Sequence, residues 1–435
     1  MFKTLQNAFK VKEIRTRLLF TFLMLVVIRM GSQLPVPGVN SDYFKNFFST
    51  GDSFNFFNAI TGGSFEDFSI FALSITPYIT SSIIMQLLTI AIPKLEEMNK
   101  EEDGRRKIAE ITRYVTVALA LIQAIAIAVG FGGNGLLEKY TWYNVIIVVC
   151  ALTAGSAFLM WIGEQITENG VGNGISIVLL VNILSRMPSD LNVLYEKFMK
   201  TQSTPVKVIV FVVIAAIIVG IVVFVVLLND AIRRIPVQYS QKVVGRRSVG
   251  GQGSHIPLKV NTGGVIPVIF ASSIMSFPVI IAQFFNVDYT TIGGKILMML
   301  SSSNWCVPSR PIYSIGLVIY IALIIAFAYF YTSITFNPIE VATNMKKQGG
   351  FIPGIRPGKN TSDYLNRVLN YIVLIGAVGL IIVAVFPIII SGVFGVSRLS
   401  FGGTSIIIVV SVIMETIKQI ESKMLVRNYK GFLND

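Results

Sequence analysis

The chain has 435 residues, 53% of them apolar and only 14% charged, with a formal net charge of +13. That balance excludes an ordinary soluble domain, and the uncharged runs are long enough for a hydrocarbon core, which takes roughly 20 apolar residues to cross. The two cysteines, Cys150 and Cys306, exclude a disulfide framework or a cysteine metal cluster.

Residues 1–17 carry Lys3, Lys10, Lys12, Arg15 and Arg17 before the first apolar run. They predict an amphipathic arm on the cytoplasmic membrane surface, since no convincing signal-peptide cleavage site follows. Nearly uncharged stretches then recur at about 69–93, 114–137, 140–163, 169–185, 208–229, 260–287, 311–339 and 368–397, with shorter ones at 18–28 and 399–414. They predict an all-α polytopic membrane protein with ten spans. An N-terminal five-span half covers 18–187, an external linker 188–206, a C-terminal half 207–424 and a cytoplasmic tail 425–435. Five spans per half start the two halves on opposite sides, the layout of inverted repeats.

Between the first two spans, Gly38 to Phe68 is rich in Gly, Ser, Asn and Phe. Ser74, Thr76 and Pro77 interrupt the next run. This is either an external loop or a broken element with a re-entrant piece near 60–70. Irregular backbone at membrane depth must be buried in protein or line a cavity. Further on, Gly163, Gly170, Gly172 and Gly174 read as a tight helix hairpin, which leaves Glu164 and Glu168 unexplained. The polar loop 230–260 then carries Arg233, Arg234, Lys242, Arg246, Arg247 and Lys259 against one acid, Asp230. The loop 337–367 frames Lys346, Lys347 and Arg356 with Gly349, Gly350, Pro353, Gly354, Pro357 and Gly358. Proline stiffens such a turn, and arginine's rigid donor fork suits a protein or RNA partner.

With both termini inside, 26 of the 36 lysines and arginines fall on cytoplasmic segments, as the positive-inside rule requires. That face is suited to anionic lipids or an acidic partner. No HExxH, nucleophile elbow or phosphate-binding loop occurs, so neither an enzyme nor a cofactor is expected. The sole histidine, His255, reads as a solvated loop residue. Ion-coupled transporters mark their coupling sites with ionisable groups at depth. The interior here offers only amides and hydroxyls such as Gln86, Asn182, Ser272 and Ser273, which counts against the alternative reading, an ion-coupled secondary transporter with inverted repeats. A structural scaffold would not need the framed basic loops.

Over essentially its whole length the chain resembles the bacterial SecY family, the channel subunit of the general protein-export translocon. The resemblance is carried by Ile75-Thr76-Pro77-Tyr78-Ile79 running to Gln86-Leu87-Leu88, by Gly104-Arg105-Arg106-Lys107, and by Gly163-Glu164-Gln165-Ile166-Thr167 with Gly172-Asn173-Gly174-Ile175-Ser176. Pro257-Leu258-Lys259-Val260-Asn261, Gly264-Val265-Ile266-Pro267, Gly354-Ile355-Arg356-Pro357-Gly358 and Phe401-Gly402-Gly403-Thr404-Ser405 complete it. The resemblance implies an hourglass pore between two halves, closed by a plug near 60–70. It implies an aliphatic ring of Ile79, Ile83, Leu179, Ile183, Ile269 and Ile408, with Leu179 departing from the commoner isoleucine. Without it, all six read as ordinary helix packing. Gln86, Ser272 and Ser273 fall on the implied lateral-gate helices. Arg246, Arg247, Lys346, Lys347 and Arg356 fall where a SecA-like ATPase motor or a ribosome would dock. SecE-like and SecG-like small subunits and signal-peptide-bearing substrate polypeptides are the other implied partners. The implied location is the bacterial plasma membrane.

Overall fold

Prolines and glycines decide where the apolar runs become helix and where they do not. The computed structural model describes residues 9–40, 61–137, 139–198, 204–239, 242–244, 247–249, 254–283, 291–308, 311–394 and 403–431. Helix α1 (Lys12–Gly31) begins inside the predicted arm and continues unbroken through the first uncharged run. Residues 62–75 are a succession of turns. Helix α2 (Thr76–Ala91) starts only after them, with Pro77 in its first turn, where a missing N–H is harmless. Pro93 disfavours helical backbone at Ile92, so α2 stops there and α3 (Pro93–Lys100) leaves at 104°.

Helix α4 (Glu102–Phe131) places Glu102 and Asp103 in its first turn, where the helix dipole favours acids. Helices α5 (Trp142–Asn169) and α6 (Gly174–Phe198) pack together. A Cβ on Gly174 would overlap the Gly163 carbonyl oxygen, so two glycines permit this close approach. Helix α6 continues through Pro188, and residues 188–198 are therefore helical where a linker is predicted.

Helix α7 (Thr204–Asp230) leads into strand β1 (Ile232–Tyr239). Strands β2 (Lys242–Val244) and β3 (Arg247–Val249) form a separate ribbon. Strand β4 (Ser254–Lys259) pairs antiparallel with β1, Ile235 opposite Ile256. Helices α8 (Ile266–Gln283), α9 (Ile292–Leu300), α10 (Ile315–Thr335) and α11 (Pro338–Lys347) follow. Strand β5 (Gly350–Phe351) then pairs with Gln238 and Tyr239 of β1. Helices α12 (Lys359–Phe394) and α13 (Gly403–Gly431) end the chain.

Two compact units result. One is Met1–Val212 with Val279–Leu297 and Phe394–Asp435; the other is Val213–Pro278 with Met298–Val393. In the first, Val36, Phe65, Phe68, Ala72 and Leu73 pack with Ala120, Ala124 and Ala128 of α4 and with Val148 and Leu152 of α5. Although the predicted halves split before residue 207, α13 packs on α6 in this unit. In the second, Ala328 of α10 meets Leu369, Val373 and Ala377 of α12.

The described residues bear on several expectations. Among the described residues, six helices are long and apolar enough to cross a membrane, or seven if the bent pair α2–α3 counts as one, against ten predicted. The predicted second span begins at 69, but its first residues are turns. The 16 residues of α2 cover about 24 Å at 1.5 Å each, short of a ~30 Å hydrocarbon core. Charges at both ends of α1 shorten its apolar window, and Ile266–Val279 of α8 counts as a shorter apolar helix. The membrane body is all-α as predicted. The polar loops are not structureless, because they carry strands and a helix.

Candidate functional site

The segment 61–75 is irregular backbone held inside the first unit. Gly62 and Gly63 take φ of +67° and +89°, and Phe68 and Ser74 adopt the left-handed region at +47° and +51°. Left-handed backbone costs an ordinary L-residue about 1–2 kcal/mol, so the surroundings must hold it. The Val36 amide donates to the Phe68 carbonyl and the Ile70 amide to the Leu34 carbonyl. Phe68, Ser69 and Ile75 are fully buried. Side chains of α5 and α6 supply further polar partners. Asn182 Nδ2 donates to Ser74 Oγ at 3.1 Å, and Ser156 Oγ to the Ser74 carbonyl at 3.1 Å. Ser185 Oγ donates to the Gly62 carbonyl at 3.2 Å. Arg186 Nη1 donates to Glu66 Oε2 at 2.9 Å. Hydropathy flags the segment as broken, but its partners on α6, more than a hundred residues later, leave no local signal.

Five of the six predicted ring residues lie in the first unit. Ile79 and Ile83 are one turn apart on α2, share a face and are half-buried. Leu179 and Ile183 repeat that spacing on α6 at 7% and 4% exposure, and Ile408 on α13 is 3% exposed. The structure brings α6 and α13 together, while α2 packs on α4. Ile269 is half-buried on α8 in the second unit.

Of the predicted gate residues, Gln86 is exposed near the end of α2 and Ser273 is half-buried on α8. Ser272 Oγ shares a 3.1 Å hydrogen bond with the Tyr320 hydroxyl, which ties α8 to α10. On α2, Ser81 Oγ donates to the Thr112 carbonyl at 2.8 Å and shares a bond with Thr116, fixing α2 to α4. Glu164, unexplained by the hairpin, pairs with Arg113 at 2.6 Å. Cys150 is exposed on α5. Burial pushes the Cys306 thiol up, away from reactivity.

The two basic loops form one folded body in the second unit. Ile235, Val237 and Leu258 from the β1–β4 pair enclose a core with Met345, Ile352, Leu365 and Ile372. Asn337 caps α11, its Oδ1 accepting from the Ile339 and Glu340 amides. Gly349, Gly354 and Gly358 all take positive φ around the Arg356 turn. The Arg356 carbonyl accepts from Thr361 Oγ1 at 2.9 Å, while the Lys346, Lys347 and Arg356 side chains are exposed. Arg247 opens β3, and Arg246 lies outside the described residues.

A family profile described as SecY matches residues 69–417. The protein translocase subunit SecY of Halalkalibacterium halodurans is 43% identical over 440 residues, covering all of both chains. A solved structure described as that of a protein conducting channel superposes with a TM-score of 0.64 at 20% identity, covering 95% of this chain and 94% of that one. Sec61 in a canine ribosome-channel complex from the endoplasmic reticulum gives 0.59 at 19% identity, with the same coverage.

Proposed function

This chain belongs to the SecY family, and we propose that it is the protein-conducting channel of a bacterial plasma membrane. It passes unfolded secretory polypeptides and releases apolar segments sideways into lipid. The observation that carries the mechanism is the irregular segment 61–75, buried among apolar helices. Backbone of that kind is tolerated at membrane depth only in protein or against a cavity, and a plug in an outward-facing funnel is such a place. Ile79, Ile83, Leu179, Ile183, Ile269 and Ile408 form the constriction, where branched aliphatic groups fit around an extended chain and exclude water without a charged gate.

Ten spans in two inverted halves, 18–187 and 207–424, hinge at 188–206, with both termini and the arm 1–17 cytoplasmic. Helices α2 and α8 border the lateral gate, and Gln86, Ser272 and Ser273 serve it. Each buried CH₂ gives about 0.8 kcal/mol, so a sufficiently apolar segment leaves for lipid while a polar one continues. Energy comes from a SecA-like motor or a translating ribosome docked on Arg246, Arg247, Lys346, Lys347 and Arg356. The ribosome is supported by the Sec61 neighbour, itself part of a ribosome-channel complex. SecE-like and SecG-like subunits and anionic lipids complete the assembly.

Site-specific crosslinking of a stalled export substrate to positions 79, 183, 269 and 408 tests this. Crosslinks at all four are expected. Capture only on outward helix faces would remove the pore path.

A further inference from the structure

Two successive acids, Glu66 and Asp67, sit on the segment 61–75, and the first is paired with an arginine of α6. Glu66 pairs with Arg186 of α6 at 2.9 Å, the side chains 17% and 34% exposed for Arg186 and Glu66 respectively. Asp67 acts electrostatically on Arg29, near the end of α1. Hydrogen bonds from Ser185 and Asn182 flank the first pair. The segment also packs against apolar side chains of α4 and α5, and its own backbone is strained at Phe68 and Ser74.

Burying a carboxylate without a partner is costly, and breaking a pair by removing one member costs more than the pair's net worth. The docked segment is therefore favoured while Arg186 compensates Glu66. Displaced into water, the same acid would be solvated at no penalty. Arg186 biases the equilibrium towards docking through this direct contact.

We propose that Arg186 is the positioning residue that keeps the channel shut at rest, clasping Glu66. This rests on the channel reading, in which the plug near 60–70 includes Glu66. A translocating chain opens the path by displacing a segment held by this charge pair, and changes to the pair tune how readily the channel opens. Arg186 itself touches no substrate in this scheme; it acts through Glu66.

The test is the resting ion conductance of the purified channel complex in planar bilayers, without motor or substrate. Arg186→Glu places a third acid beside Glu66 and Asp67 and is expected to raise the resting open fraction about tenfold or more, the scale of a broken, partly buried pair. Combining it with Glu66→Arg rebuilds the pair in reverse and returns conductance to near the starting value. Arg186→Lys keeps the charge, loses only the planar fork, and stays close to the native level. Ile79→Ser with Ile83→Ser reports on the channel reading independently. If that ring variant leaks and Arg186→Glu does not, the clasp is wrong and the channel stands. If neither leaks, the channel reading falls first. A leak in Arg186→Glu that the reversed pair fails to correct, or an equal leak in Arg186→Lys, overturns the charge clasp. Gel-filtration profiles of each variant complex establish that it is folded.

Discussion

Gly155 shows what a single position contributes. A Cβ there would overlap the Ile70 carbonyl oxygen, so α5 approaches the irregular segment as closely as it does only because this residue lacks a side chain. Gly155→Ala must push backbone apart, at an overpacking cost of about 1–3 kcal/mol. A Cβ on Gly220, inside α7, would meet nothing within 4 Å, and Gly220→Ala should be neutral or gain up to about 1 kcal/mol from helix propensity. Thermal unfolding of the purified variants checks the contrast, and equal midpoints would refute the close approach. Residues of this kind are partly legible in the sequence. The glycines at 163 and 174 announce a tight turn from their spacing alone. The partners Glu66 and Arg186, 120 residues apart, are not legible, because local periodicity carries no information about distant pairing.

At the scale of elements, the polar loops prove to be a folded unit with its own core. Ile235 and Val237 alternate with exposed residues along β1, the period-2 signature of a half-buried strand. The loop's charge masks that alternation when the sequence is read for topology. The pairing of β1 with Gly350 and Phe351 of the other loop lies beyond any local pattern. Stability and docking should therefore separate. Ile235→Ala empties a core site and should cost about 2–5 kcal/mol, seen as faster proteolysis within 230–260. Arg356→Glu alters only an exposed side chain on a glycine-framed turn. It should leave proteolysis unchanged while lowering motor-driven export about tenfold or more, as expected when an interface arginine is reversed. Normal export by that variant in reconstituted vesicles would dismiss the docking assignment.

For the molecule as a whole, the long uncharged runs are legible because bilayer thickness imposes a length that hydropathy alone can measure. The exact bounds of the shorter helices are not, since turns precede α2 and the polar residues Asn261 and Thr262 precede α8. Nor does hydropathy name packing partners, which is why the sequence gives no sign of α13 on α6. The aliphatic collar is the feature whose role depends on the assembled molecule. Leu179, Ile183 and Ile408 are almost fully buried within their own unit. Truncating them would leave cavities costing several kcal/mol and would confuse sealing with packing. Ile79 and Ile83 are only half-buried, so their exposed surface is free to face a pore. Ile79→Ser with Ile83→Ser shortens and wets that surface while avoiding the helix penalty of glycine. If a hydrophobic constriction closes by dewetting, resting conductance should rise on the order of tenfold, equivalent to a barrier lowered by about 1.4 kcal/mol. Ile79→Leu with Ile83→Leu, which conserves volume and polarity, should leave it unchanged. Identical conductance in the two pairs would mean that these side chains only pack helices, and the seal would have to lie elsewhere.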